Sequence, residues 1–540
     1  MKQGKRIVSL LLILVMSLGI FAGCKKEEED TGKKGSNKIT VGIPQETTIP
    51  DYDTNAYSLY LEEVTGLNIE WVFFSSAASY YQQQLTLMCT GGEKLPEVII
   101  GMRGLSYYVV NQLGEDGYLL DLTDLIKDYA PNYNAQIEKL DKDMQYYIQE
   151  RGKNSNDGAQ YAMAQVMAHS IDSQQSMMYI NKTWLDKLGL QAPKNVTELK
   201  NVCRAFMTQD PNGNGEADEI AMLGGADLRY WLLNAYVEYN ATTGYNVKDG
   251  KLWDPVVSDE FRQGLIFIND LVKEGLYSDL GFTLTLSEMR NLISPINGVG
   301  KVGIFCGHHE SLTNSATDAL DHYIALDALA DETGKGGYYI INEPDVSWAN
   351  FITKDCKDTK KAMKFLDALY SDESVSRERH GVKDEDWYYE EGKNSMGTDS
   401  YVNIINGQPW NDPSLNKTLR LALGIQNHWN YLAVAAEGEG RVAQSARLVA
   451  EGWNLMQNGK KQEGDMGKLV YTQEEFEIRE EKAGSMQNYV NSQITLFMKG
   501  DPDPRNDASW NEFKDTLQQI GRAELMKVAQ DAYSRKMERQ

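Results

Sequence analysis

The sequence predicts an α/β fold of two lobes, each an open sheet of largely parallel strands flanked by helices. Three observations predict it. From residue 38 onward short β-type runs alternate with helical ones, which calls for crossovers rather than hairpins. A body of about 500 residues exceeds what a single hydrophobic core accommodates. No internal repeat of fixed period appears, so solenoids and propellers are set aside.

The elements before the body are an export signal and a tether. Lys2, Lys5 and Arg6 precede an uncharged run, residues 7–23, that ends in "FAGC" at residues 21–24. The run is short for a spanning helix, and the small residues Ala22 and Gly23 stand just before Cys24, as in the cleavage box of bacterial lipoproteins. Residues 1–23 are therefore expected to be a lipoprotein signal peptide, with Cys24 the lipidation site. "KKEEEDTGKKGSN", residues 25–37, is all charge, Gly and small polar residues and cannot bury enough surface to order itself. Residues 24–37 read as a flexible tether, attached to the membrane by diacylation of Cys24.

The body begins with "KITVGI" as a strand, "AYSLYLEEVTGL" with apolar residues at helical spacing, and "NIEWVFF" as a second strand. "YYQQQLTLMCTGG" follows as a helix closed by Gly, then "PEVIIG" as a third strand. This is β-α-β-α-β. The whole chain of 540 residues carries a formal charge of −24, and loss of the signal, with its three cations, takes it to −27. Such a surface repels nucleic acid, and no basic cluster offsets it. Besides Cys24 there are Cys89, Cys203, Cys306 and Cys356, scattered and without CxxC spacing. Free thiols or at most one pair are expected.

The body resembles the extracellular solute-binding proteins of carbohydrate ABC transporters, the family 1 type of Gram-positive bacteria. The likeness rests on "GEKLPEVII" (92–100), "GYLLDLTDLIKDYAPN" (117–132), "YINKTWLDKLGLQAPKNVTELKNVCRAF" (179–206), "TKDCKDTKKAMKFLDALYSDE" (353–373) and the tail 497–535. The resemblance implies a two-lobed clamshell of the class II periplasmic-binding-protein type with ligand in the cleft. It places crossovers near "YAMAQVM" (161–167), Tyr323 and Tyr401. One lobe is then 38–165 with 326–400, the other 166–325 with 401–540.

"FMTQDPNGNGEADEIAM", residues 206–222, is the most chemically loaded segment. Pro211 fixes the entry and Gly213 and Gly215 let the backbone curl, so Asp210, Asn212 and Asn214 turn oxygens toward one point. This is the first half of an EF-hand-like calcium loop. Its twelfth position is Ala221 rather than Glu; Asp218 and Glu219 supply the negative oxygens, and Glu216 its backbone carbonyl. The solute-binding family has a similar calcium loop here. The same residues also form an ordinary turn without metal. A bound Ca²⁺ is structural, since one continuous loop supplies all its ligands and leaves no open position for chemistry.

Thirty Tyr and ten Trp against thirteen Phe favour rings with polar tips, which lie against the C–H faces of sugars while their edges hydrogen-bond. The candidates are Tyr230, Trp231, Trp348, Trp410, Trp429 and Tyr431, with Gln45 and Glu46 after the first strand, where open sheets place ligand loops. Each Trp taken singly is also a natural core residue. A secreted glycosidase or lyase would share the acidity and the aromatics, and carboxylate pairs abound. Yet HExxH and GxSxG are absent, and "GHHE" (307–310) reads as a surface turn whose adjacent histidines point to different sides. The expectation is a lipid-anchored, monomeric receptor, not an enzyme, on the extracellular face of the membrane. It binds an oligosaccharide and delivers it to ABC permease subunits. The alternatives are a carbohydrate-active enzyme or a receptor for acidic, uronate-containing oligosaccharides, for which Arg103, Arg229 and Arg290 stand out.

Overall fold

The computed structural model describes every residue except 1–36, 155, 168–176, 242, 315, 340–344, 392–399, 406–408, 411, 427–440, 460–465 and 540. The signal segment and Cys24 lie outside the described residues. Contacts separate Met1–Lys38 from Ile39–Gln540, and the second unit carries the fold.

The opening β-α-β-α-β run forms as expected. β1 (Lys38–Pro44) buries Ile39, Val41 and Ile43. The next helix, Ala56–Thr65, starts where the Asn55 side chain accepts from Tyr57 N and stops at Gly66, whose φ of 69° is a left-handed cap. β2 (Asn68–Phe74), the helix Ala78–Gly91 and β3 (Val98–Ile99) follow. The remaining strands are β4 (Met163–Met167), β5 (Met178–Asn181), β6 (Ile220–Leu223), β7 (Asn246–Lys248), β8 (Lys251–Trp253), β9 (Tyr277–Ser278), β10 (Val302–Cys306), β11 (Tyr323–Ala325), β12 (Asp345–Ile352), β13 (Trp387–Glu391), β14 (Ser400–Ile404) and β15 (Ile425–Gln426).

Two sheets result, ordered β15-β4-β12-β3-β1-β2 and β11-β5-β10-β6-β9, with small hairpins β7–β8 and β13–β14. Both follow one plan, and both are mixed. In the first, β1 runs parallel to β3 and β4 to β15, while β12 runs against β3 and β4. In the second, β6 is parallel to β9 and β10, while β5 runs against β10 and β11. β12 and β5 are the strands by which the chain enters each sheet from the other. A strand arriving that way has no βαβ crossover to turn it parallel, so it inserts in the opposite sense.

Each sheet has its own core, and helices flank both. Val41, Val98, Ile99, Phe351, Phe365 and Leu366 lie in the first; Ile180, Met222, Leu265, Ile304, Phe305 and Phe497 in the second. Full burial of such a side chain contributes ~1.5–3 kcal/mol. Leu326, Leu329 and Tyr339 still pack into the second core, and Leu419, Leu423 and Ile425 into the first. β11 completes the second sheet before the chain leaves it, and β15 pairs with β4 before the chain returns.

The C-terminal helices Arg441–Asn458, Gln473–Lys499, Asp507–Ile520 and Arg522–Met537 add to the second core. Phe497, Trp510 and Phe513 seal them, with ring centroids 5.2 to 5.9 Å apart.

Candidate functional site

Ligands of open α/β sheets bind beyond the carboxyl ends of the strands, so the site is built from those loops. β1 ends at Pro44. Gln45 is exposed, and its backbone N–H donates to Phe74 O at 2.8 Å, tying the loop to β2. Glu46 donates its N–H to the Tyr52 hydroxyl at 2.8 Å, while its carboxylate accepts from Thr48. Burial pushes the Tyr52 hydroxyl up to about 12. The Tyr52 ring meets Phe73 at 4.8 Å and Trp71 at 5.8 Å, both edge-on. The half-buried Trp71 and the exposed Phe73 escaped the sequence reading; standing two apart in a strand, they share one face. Beyond β3, Arg103 pairs with Asp345 at 2.7 Å, joining the carboxyl end of one strand to the start of its antiparallel neighbour.

The second sheet offers the matching rim. β6 leads through Gly224 and Gly225 into the helix Ala226–Leu233, and the Tyr277 hydroxyl donates to both glycine carbonyls at 3.2 and 3.1 Å. Tyr230, half-buried, donates its hydroxyl to Asn491 Oδ1 at 2.7 Å. Arg229, buried beside it, donates to Thr495 Oγ1 at 2.8 Å and to the Tyr230 hydroxyl at 3.0 Å. The long helix Gln473–Lys499 thus fixes this rim. The "GHHE" segment departs from its expected form. Gly307 breaks β10 with a φ of 136°, after which the His308 and His309 rings stack at 5.4 Å and 17° instead of diverging. His309 is buried rather than at a surface turn, with its Nδ1 3.1 Å from the Tyr179 hydroxyl and its Nε2 2.8 Å from Ser445 Oγ.

The aromatic candidates do not gather at one place. Trp231 is 4 % exposed in the second core against Tyr339, and Trp348 is 5 % exposed in the first core against Tyr107. Burial takes their faces from solvent. Trp410 is half-buried, with the Arg379 guanidinium 4.9 Å from its ring centroid. Trp429 and Tyr431 lie outside the described residues.

The acidic loop folds on itself. Asp210, at a φ of 44°, accepts through its carboxylate from the N–H groups of Gly213, Asn214 and Gly215 at 2.8 to 3.1 Å. The Asn212 and Asn214 amides donate to Asp218 at 2.9 and 3.2 Å. Lys301, 2.8 Å from Asp218, holds that carboxyl below the usual range. Asn214 Oδ1 accepts from Glu216 N at 2.8 Å, which bends the loop toward Glu219. Glu219 is 6 % exposed, and its buried Oε1 has no hydrogen-bond partner. A buried carboxylate oxygen left so is costly unless something positive meets it. Among the described residues no three His, Cys, Asp or Glu side chains stand close enough to hold a metal by themselves. An ion here would draw also on the Asn212 and Asn214 amide oxygens and the Glu216 carbonyl, the oxygen-rich set that calcium takes.

Cys89, Cys203 and Cys356 are free and buried, Cys306 is buried as well, and burial pushes the Cys89 and Cys356 thiols up to about 11. They are inert packing residues. Among the described residues no helix is long and apolar enough to cross a membrane.

Comparison with known proteins sets this geometry in context. The profile described as "Bacterial extracellular solute-binding protein" matches residues 45–375, more than half of the chain. The chain is 28% identical over 324 residues to the fructooligosaccharide ABC transporter substrate-binding protein FusA of Streptococcus pneumoniae, a match covering 58% of this chain and 56% of FusA, little more than half of that relative's length. It is 24% identical over 386 residues to the polygalacturonan/rhamnogalacturonan-binding protein YtcQ of Bacillus subtilis, covering 69% and 72%, and 23% identical over 398 residues to the B. subtilis lipoprotein LipO, covering 71% and 74%. Among solved structures, an HMO-binding, ABC-transporter-associated solute-binding protein of Bifidobacterium longum infantis superposes with a TM-score of 0.72 at 20% identity, over 93% of this chain and 99% of that one. An EF-hand mutant of S. pneumoniae FusA in complex with fructo-nystose gives 0.72 at 21%, over 93% and 100%. These likenesses establish the two-domain solute-binding fold.

Proposed function

The chain belongs to the bacterial extracellular solute-binding protein family, and from that premise we propose that it is a receptor that closes its two lobes on an oligosaccharide and hands it, chemically intact, to ABC permease subunits. The observation that carries the reading is the repeated sheet plan. It sets the Gln45–Glu46 loop of one sheet and the Gly224–Tyr230 segment of the other at carboxyl-end rims, where a ligand touching both favours the closed form. The named sugar ligands of FusA and YtcQ point to the same substrate class. Gln45, Glu46 and Tyr230 supply hydrogen-bonding groups at the rims, and the half-buried Trp410 supplies a ring. The two cores are the cores of the two lobes.

In this reading Cys24 carries the lipid that holds the protein, as a monomer, at the outer face of the membrane, in line with the lipoprotein relative LipO. The loop from Asp210 to Glu219 holds a structural Ca²⁺, in line with the EF-hand named for FusA. The ion ties the end of the helix Val196–Thr208 to β6. No step of ligand capture passes through it.

Calorimetry of the purified chain against a panel of fructo-, xylo-, manno- and galacturono-oligosaccharides tests the function, with small-angle scattering to follow closure and chromatography to recover the ligand. One member of the panel is expected to bind, compact the particle and return unaltered. Steady cleavage by pure protein, or no binding across the panel, overturns the reading.

A further inference from the structure

A cavity of about 340 Å³ lies where helices of the first core meet the C-terminal helices of the second. Its walls include Asn111 and Arg151 from one side and Tyr471, Phe476 and Arg539 from the other. None of its lining residues belongs to the strand-end rims described above.

Arg151 ends the helix Lys142–Arg151 and is half-buried. Its guanidinium carbon sits 4.3 Å from the Tyr107 ring centroid and 4.5 Å from that of Phe476. Rings therefore cover the guanidinium, and what it has left to offer are N–H groups, which point outward in its own plane. Among the described residues no carboxylate or other acceptor meets them. The neighbouring acid in the wall, Glu150, is already paired with Lys153 at 2.8 Å. Burial lowers the guanidinium's affinity for its proton, with the charge of Glu480 pulling the other way, so a half-buried cation with no hydrogen-bonded anion faces the cavity. Asn111, 8 % exposed, contributes a buried Oδ1 that has no hydrogen-bond partner. Arg539 adds a second positive charge, its guanidinium 4.0 Å from the Tyr146 ring centroid.

The cavity thus combines an in-plane cationic fork, an orphan acceptor for a hydroxyl, and aromatic walls, within a chain that is strongly negative overall. A carboxylate fits the fork with two parallel hydrogen bonds, a sugar hydroxyl fits Asn111, and the volume is at the lower end of small-ligand pockets. We propose that this cavity is a second ligand site, separate from the strand-end rims, and that it takes a single sugar-acid unit, with Arg151 receiving the carboxylate and Asn111 a hydroxyl. Because the wall draws on helices from both cores, the occupant bridges them.

The test is calorimetry of the full-length protein with galacturonic acid, glucuronic acid and galactose at millimolar concentration, repeated on two variants. Arg151→Gln removes the fork. Asn111→Asp is nearly isosteric and puts a negative charge into the wall, where it repels a carboxylate ligand. A uronic acid is expected to bind the native protein at least tenfold more tightly than galactose, and to lose at least tenfold in both variants. Circular dichroism gives the folded fraction of each variant and affinities are compared per folded protein, so Asn111→Asp keeps the test decisive should Arg151→Gln fail to fold. Binding of the oligosaccharide at the rims should be unchanged in Asn111→Asp, which separates this site from the receptor reading. No uronate binding by the native protein, equal binding of galactose, or undiminished binding by Asn111→Asp would each overturn the proposal.

Discussion

Arg522 and Asp254 form a buried ion pair 2.6 Å long, with both side chains less than a tenth exposed. Arg522 opens the last helix and Asp254 follows β8, so the pair fastens the C-terminal segment to the body of the second core. The Tyr245 ring covers the guanidinium at 4.1 Å, and Arg522 also donates to the Gly244 carbonyl at 2.7 Å. Removing one partner leaves an uncompensated charge in the interior, at a cost of ~3–5 kcal/mol. Asp254→Ala is therefore expected to lower unfolding stability by that order in urea titrations. The double replacement Asp254→Leu with Arg522→Met should recover most of it. A loss under ~1 kcal/mol in the single variant would show the pair to be of little consequence.

The acidic loop is expected to answer to metal. If Ca²⁺ meets the orphan Glu219 oxygen, a chelator should lower the melting temperature and added calcium restore it through binding to the native state alone. Glu219→Gln and Asp210→Asn should weaken that response without altering ligand selectivity, because the loop lies outside the rims. Indifference to chelator, with no metal by elemental analysis, returns the loop to an ordinary Asx-rich turn.

Glu378 links stability to pH. It is 1 % exposed, and its two oxygens accept from Leu419 N at 3.1 Å and Leu421 N at 2.8 Å. Burial pushes its carboxyl up to about 7 from an ordinary 4.5, against the opposing pull of those N–H groups and of Arg420. The Tyr57 hydroxyl, itself raised by burial, faces the same spot. Between the two values the native state holds more protons than the unfolded state. This contribution is present at low pH and fades as pH rises through about 7, by up to ~1.4 kcal/mol for each pH step of one between them. The stability difference between native protein and Glu378→Gln should therefore shrink by ~1–3 kcal/mol from pH 5 to pH 8. Parallel pH profiles would refute the assignment.

What the sequence disclosed, and what it hid, follows from the range of the interactions. The first five elements were legible because periodicity and caps such as Asn55 and Gly66 act within a few residues. The sense of β12 and β5 was not, since it depends on how the chain passes between sheets separated by long stretches of sequence. The acidic loop was visible because its residues are consecutive. The Arg151 cavity was not, because Asn111, Arg151 and Phe476 meet only through tertiary packing, and nothing local marks an arginine as lacking a partner. Composition pointed to aromatics but offered no means of telling a platform from a core ring.

The proposed anchoring rests on one atom. Replacing Cys24 by Ala removes the thiol that would carry the lipid, and metabolic labelling with palmitate should fall to background while the precursor accumulates. Labelling at the native level would mean that another residue is modified.

The tryptophans separate packing from binding. Trp231 and Trp348 each lie within a core, so Trp231→Ala and Trp348→Ala should destabilise the fold by ~3–5 kcal/mol through lost burial and the cavity left behind. Neither ring presents a face to solvent, so any effect on oligosaccharide affinity should follow the loss of stability and vanish in the surviving folded fraction. Trp410 is only half-buried and already carries Arg379 against its ring. Trp410→Ala should leave the melting temperature nearly unchanged and weaken oligosaccharide binding by ~1–3 kcal/mol, if sugar stacking matches base stacking on aromatic rings. Denaturant titration and calorimetry on the same preparations give both quantities. Should Trp410→Ala bind as the native protein does, the rim must take its aromatic contacts from elsewhere, and the pair Trp71 and Phe73 beside Tyr52 becomes the next substitution.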